Sequence, residues 1–300
     1  MTGETRPIAL STEVTLNVAV AGPRDGEAIL LLHGFPESHR TWRNQIADLS
    51  RDHFVVAPDQ RGFAGSDRPE GVEEYASGKI VADAIALMDA LEVKHFTLVG
   101  HDWGGAIAWT MAMTHPIRTK RLVIVNAPHP IVFQKSLIED ESQREASQYI
   151  NFFKSPAAEA AITAMGLEGF LDKVMLSHSD ATKLPEEERA RYIEDWRQPG
   201  ALTAMLNWYR ASQVFVPLPG EKADAPLLSK VPLPKLRMPT LVVWGMKDPA
   251  LLPVQLEGLD EHVADLRIVT SPTAGHFITW EEPGTVTTAI RDFLRETAEG

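Results

Sequence analysis

Gly100-His101-Asp102-Trp103-Gly104-Gly105 stands between two apolar runs, Phe96-Thr97-Leu98-Val99 and Ala106-Ile107-Ala108-Trp109-Thr110-Met111-Ala112-Met113. The first run has the length of a strand, and the second, starting near Trp103, that of a helix. The hexapeptide follows the order small residue, any residue, nucleophile, any residue, small residue. That order is the sequence form of a strained strand-to-helix turn, which lifts one side chain clear of a sheet. Here the lifted side chain is Asp102.

Working outward, short β-type runs alternate with helical patterns. Strands are predicted at Val14–Val20, Ala28–Leu32, Phe54–Ala57, Phe96–Val99 and Arg121–Val125, with helices around Thr41–Leu49 and Ile80–Leu91. Such alternation implies βαβ units, a parallel sheet and helices on both of its faces. The alternation stops at Ala127-Pro128-His129-Pro130. From there to Lys230 the pattern is helical and polar, with helix candidates at Gln148–Phe153, Ala157–Met165 and Glu186–Asp195. Strand character returns at Pro239–Gly245 and Leu266–Val269, and a last helix is predicted over Thr285–Leu294. The division that follows is an α/β core of residues 1–128 and 231–300, interrupted by a helical cap of residues 129–230.

The composition narrows the function classes. The 300 residues include no cysteine, which excludes disulfides, thiolate metal sites and a cysteine nucleophile. A net charge of −12 argues against a nucleic-acid backbone or an anionic membrane as partner. The apolar runs are too short to span a bilayer and no signal-peptide pattern follows Met1, so a cytoplasmic protein is expected. No His-x-x-x-His spacing suggests a metal, and the glycines around Asp102 do not fit a dinucleotide fingerprint; no metal and no cofactor are expected. Nothing in the sequence decides between a monomer and a homodimer.

A carboxylate in the nucleophile position attacks saturated carbon and leaves an alkyl ester that water must cleave. An epoxide or an alkyl halide would suit it. Ester cleavage needs a base. His276, in Thr273-Ala274-Gly275-His276-Phe277 after the last predicted strand, is the candidate, and Asp248, after the strand ending Trp244-Gly245, is the acid that orients it. The chain order nucleophile, acid, base is that of the α/β-hydrolase architecture. The candidate oxyanion donors are the backbone N–H groups of Trp103 and of Phe35, the latter in His33-Gly34-Phe35-Pro36. His33 and His101 read as structural histidines, and Tyr75 and Tyr192 as structural tyrosines. Asn126 stands where some dehalogenases carry their acid; as an amide it favours Asp248.

The segments His33-Gly34-Phe35-Pro36-Glu37 and Gly100-His101-Asp102-Trp103-Gly104-Gly105, followed in order by Asp248 and His276, resemble the soluble epoxide hydrolases of the α/β-hydrolase fold. The resemblance covers nearly the whole chain. It implies a mostly parallel central sheet flanked by helices with an inserted helical cap, a small-molecule epoxide and water as reactants, and a vicinal diol as product. Two cap segments, Gln148-Tyr149-Ile150-Asn151-Phe152-Phe153 and Asn207-Trp208-Tyr209-Arg210, match the family's tyrosine-bearing stretches. The resemblance therefore implies that Tyr149 and Tyr209 bind and protonate the epoxide oxygen. Trp103, Phe35, Phe152 and Trp208 are expected to wall the substrate pocket. Two positions depart from the family: Ala64 in Arg61-Gly62-Phe63-Ala64-Gly65-Ser66 replaces a glycine, and His39 stands where relatives carry an aromatic residue at the pocket rim. The rival readings are a haloalkane or haloacid dehalogenase and a non-catalytic receptor on the same fold. Haloacetate enzymes carry Arg beside the nucleophile, where Trp103 stands, and haloalkane enzymes carry a polar residue where Phe35 stands.

Overall fold

The computed structural model describes residues 5–224 and 235–298. Eight strands form one sheet: β1 Thr5–Ala9, β2 Thr15–Ala21, β3 Ala28–Leu32, β4 Phe54–Pro58, β5 Phe96–His101, β6 Thr119–Val125, β7 Thr240–Gly245 and β8 Leu266–Ser271. Their spatial order is β1-β2-β4-β3-β5-β6-β7-β8. The pairings of β1 with β2 and of β2 with β4 are antiparallel; every other pairing is parallel. The first strand was not expected. Its sequence, Thr5-Arg6-Pro7-Ile8-Ala9, has no alternation and four of its five residues are exposed, so only pairing with β2 identifies it.

The helices on the core side are α1 Arg43–Leu49, α2 Ser77–Ala90 and α3 Trp103–Thr114. The segment between β6 and β7 supplies α4 Pro130–Glu139, α5 Glu141–Ala146, α6 Gln148–Lys154, α7 Ala158–Met165, α8 Leu167–Val174, α9 Glu186–Arg197 and α10 Ala201–Ala211. Short helices α11 Leu259–His262 and α12 Ile278–Glu281 and a long α13 Pro283–Glu296 complete the chain. The insertion is thus all-helical among its described residues, as expected. Its expected return boundary at 230/231 lies outside the described residues. Helices α4, α5, α8 and α10 were not expected, although α8 and α10 carry apolar residues at helical spacing, Leu167, Phe170, Leu171 and Val174 in one and Ala201, Ala204, Met205 and Trp208 in the other.

Alternating residues of the central strands feed two cores. Leu30, Leu32, Leu98, Leu122, Ile124 and Val242 face one side of the sheet, where α2, α3 and the cap pack. Ile29, Leu31, Val99, Val123, Val125 and Val243 face the other, with Ile46 of α1 and Ile290 and Phe293 of α13. Strands buried on both faces read as continuous apolar runs, which is why they were legible in the sequence.

The strand order reverses at β3, since the chain runs to β4 on one side and to β5 on the other. A crevice opens outside the carboxyl ends of the strands at such a reversal. The register then decides which loops share it. Leu32 pairs with Gly100, His101 with Val125, Val125 with Val243 and Gly245 with Ser271. The residues just past these positions, Phe35, Asp102, Asn126, Asp248 and His276, are therefore neighbours although they span most of the chain.

Candidate active site

The chain enters α3 from β5 through Asp102, whose φ of 50° and ψ of −122° put it in a backbone region unfavourable to a side-chain-bearing residue. The turn is held because α3 lies almost against β3: a Cβ on Gly104 would come within 2.2 Å of the Leu32 carbonyl oxygen. Gly34 is equally constrained from the other side, since its Cβ would lie 2.5 Å from Asp102 Oδ1. That space lets the Phe35 N–H donate to Oδ1 at 2.7 Å. The Trp103 N–H opens α3 and, as a first-turn amide, has no partner within the helix. Of the two backbone groups assigned to the oxyanion hole, that of Phe35 contacts the carboxylate of Asp102 and that of Trp103 follows Asp102 directly in the chain.

The second oxygen, Oδ2, lies 3.5 Å from His276 Nε2. His276 Nδ1 donates to Asp248 Oδ2 at 2.6 Å. Asp248 Oδ1 accepts from the N–H groups of Ala250 and Leu251, each at 2.9 Å. The side-chain amide of Asn126 donates to Asp248 Oδ2 at 2.8 Å while its Oδ1 accepts from Gly245 N–H at 2.8 Å. Asn126 has a φ of 39°, a conformation that Asn tolerates better than most residues. Sequence reasoning used Asn126 only to reject a rival acid; here it also fixes the acid that is present. The signal was an Asn directly after an apolar strand, and it carries no such meaning until β6 is placed beside β7.

The His276 loop is pinned at both backbone ends. Its N–H donates to the carbonyl of His178 in the cap at 3.3 Å, and its carbonyl accepts from His101 Nε2 at 2.9 Å. His101 is therefore structural, and its bond goes to the His276 loop, whereas it was expected to support the turn at Asp102. Its other nitrogen lies 3.3 Å from Glu37 Oε2, and Glu37 Oε1 accepts from Trp280 Nε1 at 3.0 Å and Tyr192 Oη at 3.2 Å. His33 bonds the Gly34 carbonyl and the Gln60 N–H, each at 2.9 Å.

Burial opposes charge on all three groups. For His276 the carboxylates of Asp248 and Asp102 overcome it and hold its pKa well above the usual histidine range. Asp102 and Asp248 are depressed in spite of burial, mainly by His276. The two carboxylates together favour the protonated form of His276.

Two cavities meet over Asp102, one of about 140 Å³ and one of about 530 Å³, and both are lined by Asp102, Tyr149 and Tyr209. Tyr149 comes from α6 and Tyr209 from α10. The Tyr209 ring packs edge-on against Phe35 (4.9 Å), Trp103 (5.1 Å) and Tyr149 (6.2 Å between centroids). Burial, then the charge of Asp102, pushes both tyrosine pKa values well above normal, so both hydroxyls keep their protons. Phe35 and Phe152 line the narrower cavity and Trp103 the wider.

Trp208 does not line either cavity. It is buried behind Trp103, at 6.1 Å between rings, and its indole N–H donates to the Arg61 carbonyl at 3.0 Å. One step along α10 from Tyr209 turns a side chain about 100° around the helix, which aims it at the core instead of the substrate space. His39 is also away from the rim: its ring bonds Asp59 Oδ1 at 2.7 Å at the cap–core seam. Ala64, in the glycine position of its loop, keeps the positive φ of 40°. Tyr75 donates to the Pro69 carbonyl at 2.9 Å, a structural role. Among the described residues no three His, Asp or Glu side chains are grouped to hold a metal ion, and no helix is long and apolar enough to cross a membrane.

Residues 27–283 match the family model of the alpha/beta hydrolase fold. The AB hydrolase superfamily protein YfhM of Bacillus subtilis is 37% identical over 283 residues, covering 94% of this chain and 95% of that protein. Epoxide hydrolase 3 of Xenopus tropicalis is 34% identical over 292 residues, covering 94% of this chain and 75% of that protein. Among solved structures, one described as novel epoxide hydrolases from metagenomes of hot environments superposes with a TM-score of 0.90 at 44% identity, covering 98% and 99% of the two chains. The crystal structure of Bacillus megaterium epoxide hydrolase in complex with an inhibitor gives a TM-score of 0.86 at 30% identity, covering 97% and 100%.

Proposed function

The chain belongs to the epoxide hydrolases of the α/β-hydrolase fold, and from that premise we propose that it converts epoxides to vicinal diols through an ester on Asp102. The observation that carries the mechanism is the facing arrangement: a carboxylate on the core side and two protonated tyrosines on the cap side of one cavity. An epoxide needs both, because its carbon takes the nucleophile while its oxygen needs a proton to leave.

Asp102 Oδ2 attacks one oxirane carbon, the C–O bond of the ring breaks, and Tyr149 and Tyr209 hold the oxygen as one of them gives it a proton. Oδ1 becomes the ester carbonyl oxygen. Esterification removes one of the two negative charges beside His276, which lowers its proton affinity; the proton it holds passes through solvent to the tyrosinate left by ring opening, and the neutral imidazole is free to act as base. His276, oriented by Asp248, takes a proton from water, and the hydroxide attacks Asp102 Cγ. The negative charge grows on Oδ1, where the N–H groups of Phe35 and Trp103 receive it. The Cγ–Oδ2 bond breaks, the diol leaves with Oδ2 and takes the proton from His276, and the water oxygen stays on Asp102, whose new carboxyl gives its proton to His276 and restores the starting state. Residues 129–230 act in this scheme as a cap that supplies the proton donors.

The test is a side-by-side assay of diol from styrene oxide and aliphatic epoxides and of halide from bromoalkanes and fluoroacetate, with Asp102→Ala as control. Diol without halide, lost in the control, is expected. Halide without diol would replace this reading with dehalogenation, and neither product, with no ester on Asp102 by mass spectrometry, would favour a receptor.

A further inference from the structure

The two arms of the cavity that meet over Asp102 differ in size and in charge. The wider arm, about 530 Å³, is walled by Pro128, Ile131, Phe133, Ile150 and Leu251, and its polar lining, Gln134 and Gln213 included, carries no charge apart from Asp102 itself. The narrower arm, about 140 Å³, is walled by Phe35, Phe153, Ile162, Phe170 and Val174. Lys173, exposed and in the last turn of α8, also lines this arm. Among the described residues Lys173 takes part in no ion pair. The acid at the start of its helix, Glu168, is engaged by Arg197 at 2.9 Å. His178, also lining this arm, is held toward its neutral form by burial and then by the charge of His276. Among the described residues Lys173 is therefore the one full positive charge lining this arm outside the catalytic set.

A lysine in the last turn also complements the helix dipole, and that alone would place one here. It does not explain why this lysine borders an apolar cavity that leads to the nucleophile. The chain carries a net charge of −12, so an anionic substrate approaches against the general field, and a local cation lining a narrow apolar arm offsets that repulsion where it matters.

We propose that Lys173 selects epoxides with a carboxylate on a short chain at one oxirane carbon and a bulkier apolar group at the other, the carboxylate chain lying in the narrow arm and the apolar group in the wide one. The proposal rests on the epoxide reading of the same site. It assigns Lys173 to specificity, with no part in the bond-making steps.

The experiment compares an aryl epoxide bearing a short ω-carboxyalkyl chain with its methyl ester, as the ratio of their kcat/KM values. An exposed ion pair changes such a ratio by about twofold to fivefold. Lys173→Met is expected to lower the acid-to-ester ratio by about that factor through KM, Lys173→Glu to lower it further, and Lys173→Arg to restore it. High salt should shrink the wild-type ratio toward that of Lys173→Met. A helix-capping role would move stability and leave the ratio alone, so an unchanged ratio in Lys173→Met and Lys173→Glu overturns the proposal. Styrene oxide turnover by the unaltered enzyme, run in parallel, separates this outcome from failure of the epoxide reading itself, in which neither epoxide is turned over.

Discussion

On the sheet side of the cavity the reactive groups are held by hydrogen bonds; on the helical side they are held by packing. Asp248 alone receives four, from His276, Asn126, Ala250 and Leu251. Tyr209 is positioned by the rings of Phe35, Trp103, Phe153 and Tyr149. The difference follows from the two tasks. Proton transfer and attack at Cγ depend on direction, which hydrogen bonds fix. Enclosing an apolar substrate depends on buried surface, which aromatic rings supply. The two sides are joined at a polar seam. Arg40 pairs with Glu188 at 2.6 Å, and Trp196 donates to the Pro36 carbonyl at 2.8 Å.

The most damaging test of the sheet side is His276→Gln. Ester formation should continue and its hydrolysis should stop, so that one equivalent of epoxide adds to the enzyme by mass spectrometry while diol production falls by at least about 10⁴-fold. Normal steady-state turnover in that variant would remove His276 from the scheme. The corresponding test of the helical side is the double change Tyr149→Phe and Tyr209→Phe, which should lower epoxide opening by about 10²–10⁴-fold, with no ester accumulating. Full activity there would reduce the tyrosines to wall residues.

The two half-reactions should also separate by pH. Hydrolysis needs neutral His276, so its rate rises with pH until the imidazole of the esterified enzyme is fully deprotonated. Ester formation needs ionised Asp102, whose pKa is depressed, and should persist at pH values where hydrolysis has slowed. Rapid-quench measurement of ester and diol across pH checks this, and parallel profiles for both steps would contradict it.

A smaller effect is expected one layer back. Asn126→Ala leaves Asp248 Oδ2 with His276 alone and the Gly245 N–H unpaired, at a cost of about 1–3 kcal/mol in stability and a loss in the hydrolytic step only. The smallest effect belongs to the seam. Burial, then the charge of Asp59, raises the pKa of Asp195 to about 7. A carboxyl with a folded pKa above its unfolded value subtracts stability as pH rises between the two, and the subtraction is complete above the folded pKa. Asp195→Asn should therefore raise the melting temperature by about 2–4 °C at about pH 8 and by less at about pH 5. Equal shifts at both pH values would show that Asp195 is not strained.

How much could be read in advance also divides along the same line. The strands β3 to β7 announce themselves because burial on both faces makes their sequences continuously apolar. The edge strand β1 does not, because its partner and not its own pattern orders it. In the cap, Gln148–Phe153 and Glu186–Asp195 were legible as helices, yet α8 and α10 were not. Tyr149 and Tyr209 drew attention through likeness to a family, whereas their neighbour Trp208 was misplaced, because facing direction on a helix depends on what the helix packs against.

The nucleophile turn, the parallel sheet and the chain order of Asp102, Asp248 and His276 were legible because they rest on local pattern: glycines where backbones must touch, apolar runs where strands are buried, and a short polar residue where a strand ends. That Asn126 steadies Asp248, that His101 holds the His276 loop, that Trp208 lies outside both cavities, and that the cavity has two unequal arms, the narrower lined by Lys173, came only with the fold. Each of those depends on register between strands far apart in the chain or on how helices settle over the sheet, and contacts of that kind leave no mark at the spacing of neighbouring residues.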